Sequence, residues 1–278
     1  MMLGNATTAV HLAIADIPAF PACARVVLDA LADPDIPMSR VARLIGADPG
    51  LGARVLHTAN SAYYGMPRQV GSLMAATALL GLQTMRSIVL MSGIRDAMSV
   101  RLPAYDASAG VLWVHCCRTA RIAEQITLRS GRRQPWEAFA AGLLHDVGKV
   151  VLGAMKARST GQALPLAAES ADSLCALEAR EFGLDHAEAG AIIARHWGLP
   201  DPLSEAIAEH HAPRGGGEWE WLSAVTHIAD AVETHAGARL GLTPPIDLFT
   251  PASLGLEPED VTAACAAADR SGANQVCA

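Results

Sequence analysis

The sequence predicts an all-α protein, and three observations lead to this fold class. Apolar residues recur at helical spacing in long stretches rich in alanine, leucine, arginine, glutamate and methionine. Aromatic residues make up only 4% of the chain, which disfavours strands. Prolines and small polar residues stand where several periodic stretches begin, as they do at helix starts. With 51% apolar and 18% charged residues the chain can bury a large core, so we expect a globular helical protein.

After an N-terminal extension over residues 1–14, residues 15–105 are predicted to form a smaller N-terminal helical lobe. Ser39 is a suitable N-cap for its second helix, and Asp48-Pro49 is a suitable start for the third. Gly81 allows a turn within the last apolar stretch. The predicted helices of this lobe cover 23–31, 40–46, about 49–59, 73–80 and 83–98.

Residues 106–236 are predicted to form a larger helical lobe, and a connector over residues 103–110 marks the boundary between the two lobes. Its predicted helices cover 111–129, 136–155, 173–182, 185–196, 201–210 and 219–235. Three consecutive glycines at 215–217 are costly inside a helix and therefore predict a loop. The remaining residues, 237–278, are predicted to form a C-terminal segment with a short helix beginning at Pro258 and a flexible tail.

Charge and hydropathy argue against two classes of partner. The net charge of −7 disfavours an extended phosphate-binding surface, so nucleic acid is not an expected partner. The most apolar stretches, 73–82 and 87–94, are too short to span a bilayer, and no basic leader precedes an apolar run. We therefore expect no membrane insertion and a cytoplasmic location. The six cysteines form no C-x-x-C pair and are interpreted as reduced, packing thiols.

The residues that suggest chemistry are histidines and aspartates on apolar helical backgrounds. Adjacent His145 and Asp146 follow an apolar stretch, and similar residues recur upstream and downstream. The set comprises His115, His145, Asp146, His186, His210, His211 and Asp230. Imidazole and carboxylate suit divalent first-row metals, whose ligands usually arrive from different helices facing a bundle interior. The alternative is a polar core in which these groups satisfy one another by hydrogen bonds without metal.

The order His, His-Asp, His, His-His, Asp between about 111 and 235 resembles the HD superfamily of metal-dependent phosphohydrolases, and in its spacing the HD-GYP branch. This resemblance implies one or two divalent ions, iron, manganese or zinc. One ion would be held by His115, His145, Asp146 and Asp230, and a second by Asp146 as a bridge with His186, His210 and His211. If the centre is active, Asp146 would be catalytic and Lys149 would contact a substrate phosphate. Ions in such a site activate water for attack on phosphorus.

The chain departs from the HD-GYP branch directly after the paired histidines. That branch continues with an acidic residue and a Gly-Tyr-Pro element, whereas this chain reads His211-Ala212-Pro213-Arg214-Gly215-Gly216. Hydrolysis of a cyclic dinucleotide is therefore not expected.

Residues from about 15 to 235 resemble instead the HDOD domain, an HD-related output domain of bacterial signalling proteins. The resemblance includes the first lobe. The resemblance rests on the motifs Ile17-Pro18-Ala19-Phe20-Pro21, Asp48-Pro49-Gly50-Leu51, Asn60-Ser61-Ala62-Tyr63-Tyr64-Gly65, Ala78-Leu79-Leu80-Gly81, Gly142-Leu143-Leu144-His145-Asp146 and Trp197-Gly198-Leu199-Pro200. It implies an HD-domain-like helical bundle and a regulatory or scaffolding role.

Two functions follow from these resemblances. The leading one is a signal-transduction output or adaptor module that acts through contacts with signalling proteins and is gated by metal or nucleotide in the HD-like site. The alternative is a metal-dependent phosphohydrolase that acts on a nucleotide or another phosphoester. Changing His145 and Asp146 to alanine separates them, because only a hydrolase must lose its activity in a folded variant.

Overall fold

The computed structural model of the protein describes residues 2–160, 171–214, 218–237 and 254–270. Within these ranges it is helical without strands, and a single isolated β-bridge joins Leu102 and Ala107. The predicted all-α class is therefore confirmed. The glycine loop at 215–217, most of the segment 238–256 and the predicted tail from Ser271 lie outside the described residues.

The described helices follow one another along the whole chain. They are α1 (Met2–Ile14), α2 (Ala22–Leu31), α3 (Met38–Gly46), α4 (Pro49–Ala59), α5 (Leu73–Met98), α6 (Val111–Arg129), α7 (Pro135–Leu144), α8 (Gly148–Thr160), α9 (Ala171–Phe182), α10 (His186–His196), α11 (Asp201–Glu209), α12 (Glu220–Gly237) and α13 (Pro258–Arg270). Short 3₁₀ helices cover Ala62–Tyr64 and Pro103–Tyr105.

Three details differ from the sequence-based expectations. The N-terminal extension contains α1, because Val10 and Ala13 are fully buried on a helical face that packs on α8. Helix α3 begins before Ser39, since Pro37 already holds extended backbone at the N-cap position. The apolar stretch 136–155, predicted as one helix, is broken by a turn over 145–147 into α7 and α8.

The described residues divide into two compact units. One runs from Phe20 to Arg95 and contains α2, α3, α4 and most of α5. Asp48 caps α4 by accepting a hydrogen bond from the backbone N–H of Leu51 at 3.0 Å. Helix α5 is kinked at Gly81, whose φ of 73° is outside the helical region. This agrees with the turn predicted there.

The other unit comprises the chain up to Ala19 and from Asp96 to Arg270. In it α6 packs against α7, α12 and α13, and α10 packs against α8 and α11. Glycine permits the close approach of α7 to α6. A Cβ atom on Gly142 of α7 would lie 2.9 Å from Cα of Ala120 in α6. Only glycine therefore allows the two helix backbones to approach this closely. The contact positions the end of α7 beside α6.

Two helical stretches are long and apolar enough to cross a membrane by length and composition alone, namely Leu73–Met98 and Pro135–Arg158. Core helices of soluble proteins pass the same test. The apolar window of Pro135–Arg158 is 83% buried within the protein, and this stretch includes the turn between α7 and α8. Its apolar character is accounted for by the core that it builds.

Candidate metal centre

The structure brings every predicted site residue to one place in the unit that ends at Arg270. The residues arrive from separate elements: His115 from α6, His145 and Asp146 from the turn after α7, Lys149 from α8, His186 from the first position of α10, His210 and His211 from the end of α11, and Asp230 from α12. All but His211 are 9% exposed or less, and His211 is half-buried. Burying so many polar groups costs free energy unless hydrogen bonds, ion pairs or a metal ion replace their lost contacts with water.

Four of these residues face one point. The Nε2 atom of His115 lies 3.2 Å from Nε2 of His145 and 3.1 Å from Oδ1 of Asp230. The Nε2 atom of His145 lies 3.5 Å from Oδ2 of Asp146 and 3.4 Å from Oδ1 of Asp230. Ligand atoms bound at about 2.1 Å to one ion lie about 3.0–3.4 Å apart in octahedral or tetrahedral geometry. The spacing therefore fits a metal ion, and we call this the first ion position.

The remaining histidines surround the other oxygen of Asp146. His186 Nε2 lies 3.3 Å from Oδ1 of Asp146 and 2.8 Å from Nε2 of His211. Side-chain ligand atoms of Asp146, His186 and His210 all lie within 4.8 Å of one another. We call this the second ion position. Asp146 presents one oxygen to each position, as a bridging ligand must.

The unpaired atoms of the cluster support metal over a self-sufficient polar core. Oδ1 of Asp146, Nε2 of His210 and Nδ1 of His211 are buried and have no hydrogen-bond partner among the described residues. Buried polar atoms are normally satisfied, so a core built only from hydrogen bonds would not leave so many in one cluster. The residues present therefore fit a divalent ion, whose positive charge satisfies lone pairs that no protein donor reaches.

Hydrogen bonds orient two of the rings. The Nδ1–H of His145 donates to the carbonyl oxygen of Gly142 at 2.9 Å, and that of His210 donates to the carbonyl oxygen of Ile207 at 2.7 Å. These carbonyls lie at helix ends and need donors from outside the helix. Each bond leaves the Nε2 lone pair directed at the cluster, which is the tautomer that binds metal.

The sequence matches the family model of the HDOD domain over residues 17–213, which is more than half of the chain. The chain belongs to the HDOD family. An HDOD domain protein of unknown function from Geobacter sulfurreducens is 26% identical, with a TM-score of 0.71 over 99% of this chain and 97% of that one. A protein from Marinobacter aquaeolei, named provisionally for signal transduction, is 20% identical with a TM-score of 0.74 over 94% of this chain and 58% of its own, a likeness of fold.

Among curated proteins, an uncharacterized protein from Treponema pallidum is 27% identical over 199 residues. The match covers 71% of this chain but 38% of that relative, so the chain spans well under half of the relative's length. The likeness therefore concerns the HDOD domain and not the remainder of the longer protein.

One residue of the HDOD site was missed by sequence reasoning. Glu178 of α9 is fully buried and accepts hydrogen bonds from the backbone N–H of His186 at 2.9 Å and from its Nδ1–H at 2.6 Å. The hydroxyl of Tyr105 donates to the same carboxylate at 2.7 Å. A carboxylate behind a ligand histidine fixes the ring and raises its basicity. Glu178 is thus a positioning residue for the second ion position.

The carboxylates of the HDOD site are held in their ionised form. Burial opposes the charge on Asp146, yet Lys149 and His145 hold the pKa of that carboxyl well below its usual range. Burial likewise opposes the charge on Asp230, whose pKa is nevertheless held well below its usual range by His145 and His115. Both groups are therefore available as anionic ligands at neutral pH.

The pKa values of the imidazoles are shifted in different directions. Burial lowers the pKa of His210 well below its usual range, and burial with the neighbouring His186 lowers the pKa of His211 to about 3. Both are neutral at physiological pH, as metal ligands must be. Burial also acts to lower the pKa of His145, but Asp146 and other nearby groups raise it above its usual value. A bound divalent ion would compete with the proton on that ring.

Changing Glu178 to glutamine tests its positioning role. The amide keeps the size but lacks the charge that anchors His186, so we expect metal affinity at the second position to fall about 10- to 100-fold. Affinity at the first position should change little. Competition with a chromophoric chelator measures the metal affinities of both positions. The matched control is Glu181→Gln on the same helix, whose carboxylate pairs with Lys156 outside the cluster, and equal affinities in the two variants would contradict the role.

Proposed function

We propose that this HDOD protein is a metal-binding signalling module, in which ions at the His/Asp centre fix the arrangement of helices that other signalling proteins recognise. The observation that carries the proposal is the convergence of seven predicted ligands from α6, the α7–α8 turn, α10, the end of α11 and α12. Ligands from so many elements meet only when those elements are packed together. Ion binding therefore stabilises one packing of the domain.

Asp146 links the two ion positions in this proposal. Its Oδ2 atom faces His145 at 3.5 Å, and its Oδ1 atom faces His186 at 3.3 Å. Occupation of one position orients the carboxylate for the other, so the two ions bind cooperatively. Nitrogen and carboxylate donors suit iron, manganese and zinc. A module of this kind reports the availability of such metals, or of a phosphoester that binds to them.

The surroundings of Lys149 favour regulation over turnover. A lysine that binds a substrate phosphate needs a free ammonium group, yet Nζ of Lys149 lies 2.6 Å from Oδ2 of Asp146. Only 5% of the Lys149 residue surface is exposed. With the ammonium committed to Asp146, the predicted phosphate contact requires the side chain to move.

A metal-dependent phosphohydrolase is the second candidate, and the bridging geometry of Asp146 favours it. Bound ions would supply charge neutralisation and activation of water for phosphoester cleavage. In such an enzyme Lys149 would release Asp146 and turn to the phosphate. The histidines and Asp230 would keep their positions as ligands.

We further infer that the module acts in the cytoplasm. All five cysteines among the described residues are free thiols, which suits a reducing compartment. Signalling proteins that recognise the helix arrangement would be its partners there.

The test compares the protein as purified, without chelator or affinity-column metal, with the same protein after chelation and after reloading. We expect near-stoichiometric first-row metal by elemental analysis, and slower hydrogen exchange in α6, α10 and α12 when metal is present. A panel of phosphoesters should show no turnover by the loaded protein. Absence of bound metal would overturn the proposal, whereas metal-dependent turnover lost in Asp146→Asn would establish the hydrolase instead.

A further inference from the structure

A thiol lies beside the second ion position. Cys175 is on α9, three residues before Glu178 and therefore on the same face of the helix. Its Sγ atom and ligand nitrogens of His186 and His211 all lie within 4.8 Å of one another. The side chain is half-buried. Helix α9 contributes none of the ligands that the sequence predicts, so this thiol adds a donor from a further element.

We propose that Cys175 supplies a thiolate ligand at the second ion position, together with His186 and His211, and makes that position select zinc over manganese. The inference rests on the proposed metal-binding function. Donor atoms on one tetrahedral zinc are about 3.5 Å apart, so the cluster closes on an ion by side-chain movements of about an ångström. The thiol proton passes to solvent when the sulfur binds the ion.

A buried carboxylate oxygen beside His186 also points to an ion. Oδ1 of Asp146 has no hydrogen-bond partner among the described residues, and the residue is only 1% exposed. This oxygen lies 3.3 Å from Nε2 of His186. Cys175, His186 and His211 offer one sulfur and two imidazole nitrogens, donor types that zinc prefers, and His186 also belongs to the group with Asp146 and His210.

The thiol makes the two ion positions chemically different. The first position has two imidazoles and two carboxylates, a donor set that accommodates manganese and iron as well as zinc. Thiolate is a softer ligand and favours zinc, whereas manganese favours oxygen donors. The centre would therefore hold different metals at its two positions when both are supplied.

Substitution with cobalt(II) tests for a bound thiolate by absorption spectroscopy. Cobalt(II) takes the place of zinc and gives a near-ultraviolet charge-transfer band only when a thiolate is bound to it. We expect this band in the full-length protein loaded with cobalt. It should be lost in Cys175→Ser and kept in Cys265→Ser, a control in which another half-buried thiol is changed. In competition assays Cys175→Ser should bind zinc about tenfold or more weakly, with manganese affinity nearly unchanged.

A second measurement needs no variant and so does not depend on the folding of Cys175→Ser. Alkylation of the native protein followed by peptide mass spectrometry should show Cys175 protected by zinc and not by manganese. Equal modification with and without zinc would overturn the assignment.

The outcomes separate this inference from the function on which it rests. Cobalt bound with no charge-transfer band, or with a band that survives Cys175→Ser, overturns the role of Cys175 and leaves metal binding intact. A surviving band would assign the sulfur to another thiol, such as the fully buried Cys116. Failure of the protein to bind cobalt, zinc or manganese at all overturns both.

Discussion

Replacing Asp146 with asparagine is expected to abolish metal binding at both ion positions and to destabilise the folded protein. The carboxylate presents one oxygen to each position and also neutralises Lys149, whose Nζ lies 2.6 Å away. An amide provides neither the bridging charge nor a counter-ion. Breaking a buried ion pair costs about 3–5 kcal/mol because the remaining charge is left uncompensated. Elemental analysis and urea unfolding of the chelated protein measure the two effects separately.

The control is the double variant Asp146→Asn with Lys149→Met. Methionine removes the stranded ammonium and keeps a long apolar side chain in a place that is 5% exposed. Replacing a buried ion pair by neutral groups is often close to neutral in stability. We therefore expect the double variant to recover most of the lost unfolding free energy and none of the metal. Metal retained in either variant would show that Asp146 is not a ligand.

Replacing Gly148 with alanine is expected to lower the unfolding free energy by about 3 kcal/mol or more. A Cβ atom there would overlap the backbone carbonyl oxygen of His186 and lie 2.6 Å from the backbone nitrogen of Gly190. Backbone atoms cannot rotate away, so α8 and α10 must separate. Separation moves His186 away from Asp146, and we expect metal affinity at the second position to fall with stability.

Gly153→Ala is the matched control in the same helix. Its Cβ atom would lie 3.1 Å from Cδ2 of Leu102, at the far end of a flexible side chain that can adjust. Alanine also favours the helix by about 1 kcal/mol over glycine, so little net change is expected. Urea midpoints compare the two variants. Equal stability of Gly148→Ala and the native protein would show that the helices tolerate a wider spacing.

The helices were largely predictable because their starts and periodicity are local. Asp48-Pro49 starts α4 as expected, and Pro258 starts α13. The break between α7 and α8 was missed because no proline marks it and apolar residues at helical spacing continue on both sides of His145-Asp146. The close approach of Gly148 to α10 is a tertiary contact, which becomes visible only after both helices are packed.

The ligands of the site could also be predicted from local sequence, whereas one contact that positions them could not. Histidines and aspartates at the predicted positions are rare enough on apolar helices to identify the cluster from sequence. Glutamate on a helix is usually a solvated residue, so Glu178 carried no comparable signal. Its contact with His186 depends on the turn after α9, where Gly183 has a φ of 83°. Such a pairing can be read only from the folded chain.

The spread of the ligands along the chain has a consequence for biosynthesis. His115 and Asp230 lie about 115 residues apart, yet they meet at one ion position. Contacts between such distant residues form late, because a long loop must first be closed. A chain still attached to the ribosome before α12 has emerged lacks Asp230 and cannot assemble this position. In the proposed metal-binding module, an ion can therefore occupy the first position only after α12 has been synthesised and has packed against α6.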